Sequence, residues 1–105
     1  MSFRPLDLTG KTAVVIGGTS GIGRAIALGL AEAGADVIPS SRRAEEVEAA
    51  AKEVEARGKR SLRVTSDVAD RKSLDHLLSE AVKAFGQVHI MVNCAGRTKR
   101  TPTLD

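Results

Sequence analysis

Thr12-Ala-Val-Val-Ile-Gly-Gly-Thr-Ser-Gly-Ile-Gly-Arg24 is the stretch on which the fold turns. Its first five residues form an unbroken apolar run, the pattern of a strand buried on both faces of a parallel sheet. Glycines follow at once, at positions 17, 18, 21 and 23. A helical pattern then takes over, with Ile22, Ile26, Leu30 and Ala33 recurring on one face and Gly34 as a stop signal. Strand, glycine loop and helix in direct succession are the opening of a βαβ unit.

The pattern repeats outward from there. Residues 36–41 read as a second strand, and residues 44–57 as a helix with Val47, Ala50, Ala51 and Val54 on its apolar stripe and Gly58 at its end. Residues 61–66 read as a third strand. Leu74, Leu77, Leu78, Ala81, Val82 and Phe85 then fall at three-and-four spacing, the clearest helical stripe in the chain. Asp70 is placed to cap that helix and Gly86 to stop it. Residues 88–93 (VHIMVN) complete the series as a fourth buried strand.

Four strands alternating with three helices predict an α/β fold: a doubly wound parallel sheet, Rossmann-like, with strands ordered 3-2-1-4. Residues 1–105 are read as one unit, the N-terminal part of a nucleotide-binding domain. Pro39 conflicts with an interior second strand, because proline has no N–H for the ladder. A bulge or one lost ladder bond is expected there.

The glycine loop points to a phosphorylated ligand. A pyrophosphate must approach the backbone closely, which leaves no room for a Cβ, and the turn calls for positive φ. The free N–H groups and dipole at the following helix N-terminus favour an anion. A glycine motif alone is weak evidence; the flanking strand and helix strengthen it.

The spacing Gly17-x-x-x-Gly21-x-Gly23 resembles the loop of the short-chain dehydrogenase/reductase family rather than the general dinucleotide fingerprint. Ile16 stands where that family has Thr. Asp67-Val68 is similar to the family's acidic-hydrophobic pair after the third strand, and Asn93-Cys-Ala-Gly96 to its Asn-Asn-Ala-Gly signature, with Cys94 replacing the second Asn. The resemblance runs from about Leu8 to Gly96. It implies a nicotinamide cofactor contacted by Gly17, Thr19, Ser20, Gly21, Ile22, Gly23, Ser41, Arg42, Asp67, Val68, Asn93, Ala95 and Gly96.

The end of the second strand distinguishes NAD from NADP. An acid there bonds the ribose 2′-OH and repels a 2′-phosphate. This chain instead has Ser40-Ser41-Arg42-Arg43, with Ser41 where NAD-preferring relatives carry Asp. Arginine pairs a phosphate through parallel bonds, so NADP(H) is the expected cofactor.

The resemblance further implies hydride transfer with a small-molecule carbonyl or alcohol substrate, carried out by a Tyr, a Lys four residues after it, and a Ser. The chain contains no Tyr, so no catalytic residue is assigned within it. The parent protein is expected to be the enzyme, homo-oligomeric when complete, and this chain its truncated front half. A non-catalytic NADP(H)-binding or sensing module stays open as the alternative. A nucleic-acid binder and a sugar-nucleotide enzyme of the extended relatives are also open; the latter usually carry Gly-x-x-Gly-x-x-Gly.

Composition agrees with the main reading. Apolar residues make up 42% and charged residues 28%, as in a globular domain. A net charge of +3 suits a phosphorylated ligand, while 2% aromatics leave few stacking platforms for nucleic acid. No apolar run approaches a membrane span, so neither a membrane nor a nucleic-acid partner is expected. The single Cys94 favours a reducing, cytoplasmic setting and is read as a small core residue. His76 and His89 are read as solvated or packed, and no metal site is expected. The basic stretches at 57–60 and 97–100 are read as solvated loop faces.

Overall fold

The computed structural model describes residues 7–94. Among these, the chain forms β1 (Thr12–Ile16), α1 (Gly21–Glu32), β2 (Asp36–Ser40), α2 (Ala44–Ala56), α3 (Arg71–Phe85) and β3 (Ile90–Asn93). The three strands make a parallel sheet in the order β2-β1-β3. β1 is central, and its five residues are all buried, as an apolar run without polar alternation requires.

The two faces of β1 feed two cores. Ala13 and Val15 pack with Val37 of β2, Ala27 and Ala31 of α1 and Val54 of α2. Val14 and Ile16 pack with Ile38 of β2 and with Leu77 and Ala81 of α3. Helices therefore cover both faces of the sheet, the doubly wound α/β arrangement the sequence predicts.

α3 is bounded as expected. The Asp70 carboxylate accepts from the Lys72 N–H at 3.0 Å, and Gly86 follows with φ +85°. α1 differs from its expected packing. Its buried residues are Gly23, Ala27 and Ala31, whereas Ile22 is 77% exposed. The sequence reading chose the large aliphatic face; the helix instead lays its small-residue face on the sheet, where close approach replaces side-chain bulk.

The expected four-strand order 3-2-1-4 is corrected to three strands, because residues 61–66 do not form a regular strand. They still run parallel to β2. The Val37 N–H donates to the Arg60 carbonyl at 3.1 Å, and the Ser66 N–H to the Ser41 carbonyl at 2.8 Å. Even-numbered residues of β2 bond towards β1, as when Asp36 N–H donates to the Lys11 carbonyl. Odd-numbered ones therefore face residues 60–66, and the donor due between 37 and 41 is Pro39. One ladder bond is lost, and no bulge is needed.

Side chains hold this segment in place of the ladder. Ser40 Oγ donates to the Val64 carbonyl at 2.5 Å and lies 2.8 Å from Ser66 Oγ, with both serines buried. Asp36 accepts from the backbone and guanidinium of Arg60, whose guanidinium carbon lies 4.6 Å from the centre of the Phe85 ring. Arg63 forks to Glu48 and Glu55, one helical face of α2. These hydrogen bonds hold both carboxyls below the usual carboxylate range and push the Arg63 guanidinium up.

β3 also departs from expectation. It begins at Ile90 rather than residue 88, and its residues alternate between half-buried and exposed, with Met91 49% exposed. Among the described residues it pairs with β1 alone. His89 anchors its start: its N–H donates to the Thr12 carbonyl at 2.9 Å, and its Nδ1 accepts from the Thr12 N–H at 3.0 Å. That ring closes the β1–β3 ladder at the end of the sheet farthest from the glycine loop.

Candidate functional site

The carboxyl ends of the parallel strands meet the glycine loop, and the candidate site lies there. In open α/β sheets this crevice is where ligands bind. The loop is fixed to β2 by the N–H groups of Gly17 and Gly18, which donate to the Ser40 carbonyl at 2.8 and 3.3 Å. Gly17 has φ +78° and Gly21 φ +56°, conformations that favour glycine.

The two end glycines serve different purposes. At Gly21 an added Cβ would meet nothing within 4 Å, so the space above the start of α1 is open to a ligand. At Gly23 a Cβ would lie 1.9 Å from the Gly17 carbonyl oxygen and 3.2 Å from Cys94 Cβ. Gly23 is thus required by the packing of helix against loop. Cys94 closes the floor there, its N–H donating to the Ile16 carbonyl at 2.8 Å.

The helix start is prepared for an anion. Ser20 takes the N-cap position with extended backbone, yet its side chain makes no capping bond, and the first turn of α1 carries no acid. A negative group can therefore meet the exposed N–H groups and the positive end of the dipole.

Beside the loop, Ile16, Gly17, Ser41, Arg42, Ser66, Asp67, Val68 and Ala69 line a cleft of about 330 Å³. A smaller polar hollow of about 200 Å³ adjoins it, lined by Arg42, Thr65, Ser66, Asp67 and Ser73. The far wall is a turn built by local bonds. Asp67 accepts from the Ala69 N–H at 2.9 Å, and the Asp67 N–H donates to Ser73 Oγ at 2.9 Å. Asp67 is therefore a turn residue that also lines the cleft.

Two features of the near wall suit an anionic group. Ser41 Oγ is buried without a hydrogen-bond partner among the described residues. Arg42 is exposed and, like Arg43 and Arg71, makes no ion pair there, whereas Arg24, Arg57, Arg60 and Arg63 are each paired with a carboxylate; of the three without a pair, Arg42 alone lines the cleft. A buried orphan hydroxyl beside an uncommitted guanidinium fits an anionic ligand.

The structure thus gathers Gly17, Ser41, Arg42, Asp67 and Val68 around one cleft. Ser20, Gly21, Ile22 and Gly23 form the adjoining helix start rather than its lining. Thr19 turns to α2, its hydroxyl donating to Glu46 at 3.2 Å. Asn93 pairs in register with Ile16 at the end of β3. Ala95 and Gly96 lie outside the described residues. The sequence reading missed Ile16, Ser66 and Ala69 as lining residues and Glu46 as a contact of the loop. Their adjacency to predicted site residues was the available signal for the first three; Glu46, 27 residues from its partner, offered none.

Among the described residues there is no cluster of three metal-ligating side chains, and no helix is long and apolar enough to cross a membrane.

Residues 11–105 match the family model described as short chain dehydrogenase. The chain is 44% identical over 91 residues to an uncharacterized oxidoreductase of Mycobacterium tuberculosis, covering 87% of this chain and 35% of that protein. It is 41% identical over 90 residues to the L-rhamnose 1-dehydrogenase (NAD(P)(+)) of a Sphingomonas species, covering 85% and 35%. Its fold overlays the crystal structure of a hydroxysteroid dehydrogenase from Escherichia coli with a TM-score of 0.80 and 32% identity, covering 85% of this chain and 38% of that one. The chain therefore spans about a third of the length of these relatives. With strand, glycine loop and cleft in agreement across its length, it belongs to the short-chain dehydrogenase/reductase family.

Proposed function

We propose that this chain supplies the NADP(H)-binding part of an oxidoreductase acting on a small carbonyl or alcohol substrate. The observation that carries the NADP(H) reading is the pairing of orphaned Ser41 Oγ with unpaired Arg42 on the cleft wall. The Sphingomonas relative, whose name gives NAD(P)(+) as its coenzyme, is consistent with it.

The residues divide the work by position. The start of α1 and the loop from Gly17 receive the pyrophosphate through backbone N–H groups. Ser41 and Arg42 receive the ribose 2′-phosphate, the guanidinium by charge-assisted bonds. Asp67 and Val68 receive the adenine, the carboxylate accepting from an amino group and Val68 giving it an apolar surface. The bound nicotinamide supplies the hydride donor or acceptor. No tyrosine occurs in the 105 residues, and no proton-transfer role is assigned within them.

Calorimetric titration of the full-length protein with NADPH and NADH tests the reading, together with nicotinamide absorbance in the presence of sugar, steroid and simple ketone or alcohol substrates. Tighter binding of NADPH with turnover of one substrate class is the expected outcome. Binding without any turnover would favour a sensing module instead. Failure to bind either nucleotide would overturn the proposal.

A further inference from the structure

The first turn of α2 carries an acid that reaches the glycine loop. Glu46 stands three residues past the N-cap Arg43, where a Glu ordinarily folds back on its own helix start. Here its carboxylate instead accepts from the Thr19 hydroxyl, 27 residues away in sequence. The same turn follows directly on Ser41 and Arg42, and the Glu46 N–H donates to the Arg43 carbonyl at 3.1 Å. Glu46 does not itself line the cleft, but it stands four residues past Arg42, which does, and its carboxylate is tied to the glycine loop.

We propose that Glu46 is a second determinant of coenzyme choice, opposing Arg42. The inference rests on the NADP(H) reading above and deepens it. With NAD(H), the Thr19–Glu46 bond stays closed and the carboxylate costs nothing. With NADP(H), a 2′-phosphate beside this turn is repelled by the carboxylate and competes with it for the Thr19 hydroxyl. Glu46 thereby limits the preference that Arg42 creates and leaves the site able to accept both coenzymes. A purely structural tie would treat the two coenzymes alike.

Glu46→Gln separates charge from geometry, because the amide oxygen still accepts from Thr19 while the charge is gone. Dissociation constants are measured in the full-length protein for NADPH, NADH, 2′,5′-ADP and AMP, at low and high salt. A like charge near a solvated phosphate is worth about three- to tenfold, so NADPH and 2′,5′-ADP should tighten by that factor. NADH and AMP should stay unchanged, and the gain should shrink as salt screens the carboxylate. Thr19→Val, which deletes the hydroxyl the phosphate would claim, should weaken NADPH selectively. Parallel shifts for both coenzymes, no shift, or weaker NADPH binding in Glu46→Gln would overturn the inference while leaving the cofactor reading intact. A wild-type protein that binds none of the four ligands would overturn both.

Discussion

Replacing Gly23 with alanine tests how the glycine loop is built. The added Cβ would lie 1.9 Å from the Gly17 carbonyl oxygen and 2.8 Å from its carbon. Ordinary carbon–oxygen contact begins near 3.3 Å, so loop and helix must separate by roughly 1.4 Å. Neither side gives easily. The obstructing atoms are backbone, and Gly17 is itself tied to Ser40 by a 2.8 Å bond. Overpacking of this kind costs about 1–3 kcal/mol, and a rigid backbone obstacle places this case near the upper end. At about 2–4 °C per kcal/mol for a domain of 150–250 residues, the full-length protein should melt roughly 6–12 °C lower. Nucleotide affinity should fall as well, because the displaced loop no longer presents its N–H groups to the pyrophosphate. Thermal melts followed by circular dichroism, with calorimetric titration of NADPH, read both effects. A variant whose melt and NADPH affinity superimpose on the wild type would refute the reasoning.

Other perturbations follow from the same geometry. His89→Leu leaves the N–H of buried Thr12 without its acceptor and should cost about 1–3 kcal/mol in denaturant unfolding, while His89→Asp, which keeps an acceptor, should cost less. Arg63 holds Glu48 and Glu55 below the usual carboxylate range, so its stabilising effect is present above the unfolded carboxylate value of about 4.3 and disappears as pH falls through the lower folded values. Arg63→Gln should accordingly be less stable than wild type at neutral pH, and the two unfolding curves should converge in acid. Pro39→Val restores the missing donor opposite residues 61–66, and hydrogen exchange should then show a protected amide at position 39.

Much of this fold can be read directly from local pattern. TAVVI is apolar without interruption because both faces of β1 are covered, and Asp70 and Gly86 bound α3 through bonds that span only a few residues. The misreadings share a physical cause: each depended on what another element brings to the contact. Ile22 looks like a core residue, but the helix buries its Gly23–Ala27–Ala31 face and leaves Ile22 exposed, with Leu30 packed at the margin of the core. Residues 61–66 have the apolar content of a strand, yet Pro39 of the neighbour removes the donor that would regularise them. As lining of the cleft, Ser41 and Arg42 were legible because they follow the end of β2 directly, and Asp67 because it follows the extended segment beside it. The contact of Glu46 with the loop was not, because its partner is set by how α2 docks beside the loop.

The central claim is that the cleft at the strand ends recognises a 2′-phosphorylated dinucleotide through Arg42. The most direct measurement is the ratio of NADH to NADPH dissociation constants in the full-length protein, wild type against Arg42→Ala. Loss of a charge-assisted contact costs about 1.5–3 kcal/mol, so NADPH binding should weaken by roughly 10- to 150-fold while NADH stays nearly constant. The ratio should collapse by the same factor. An unchanged ratio, or equal weakening of both coenzymes, would contradict the account.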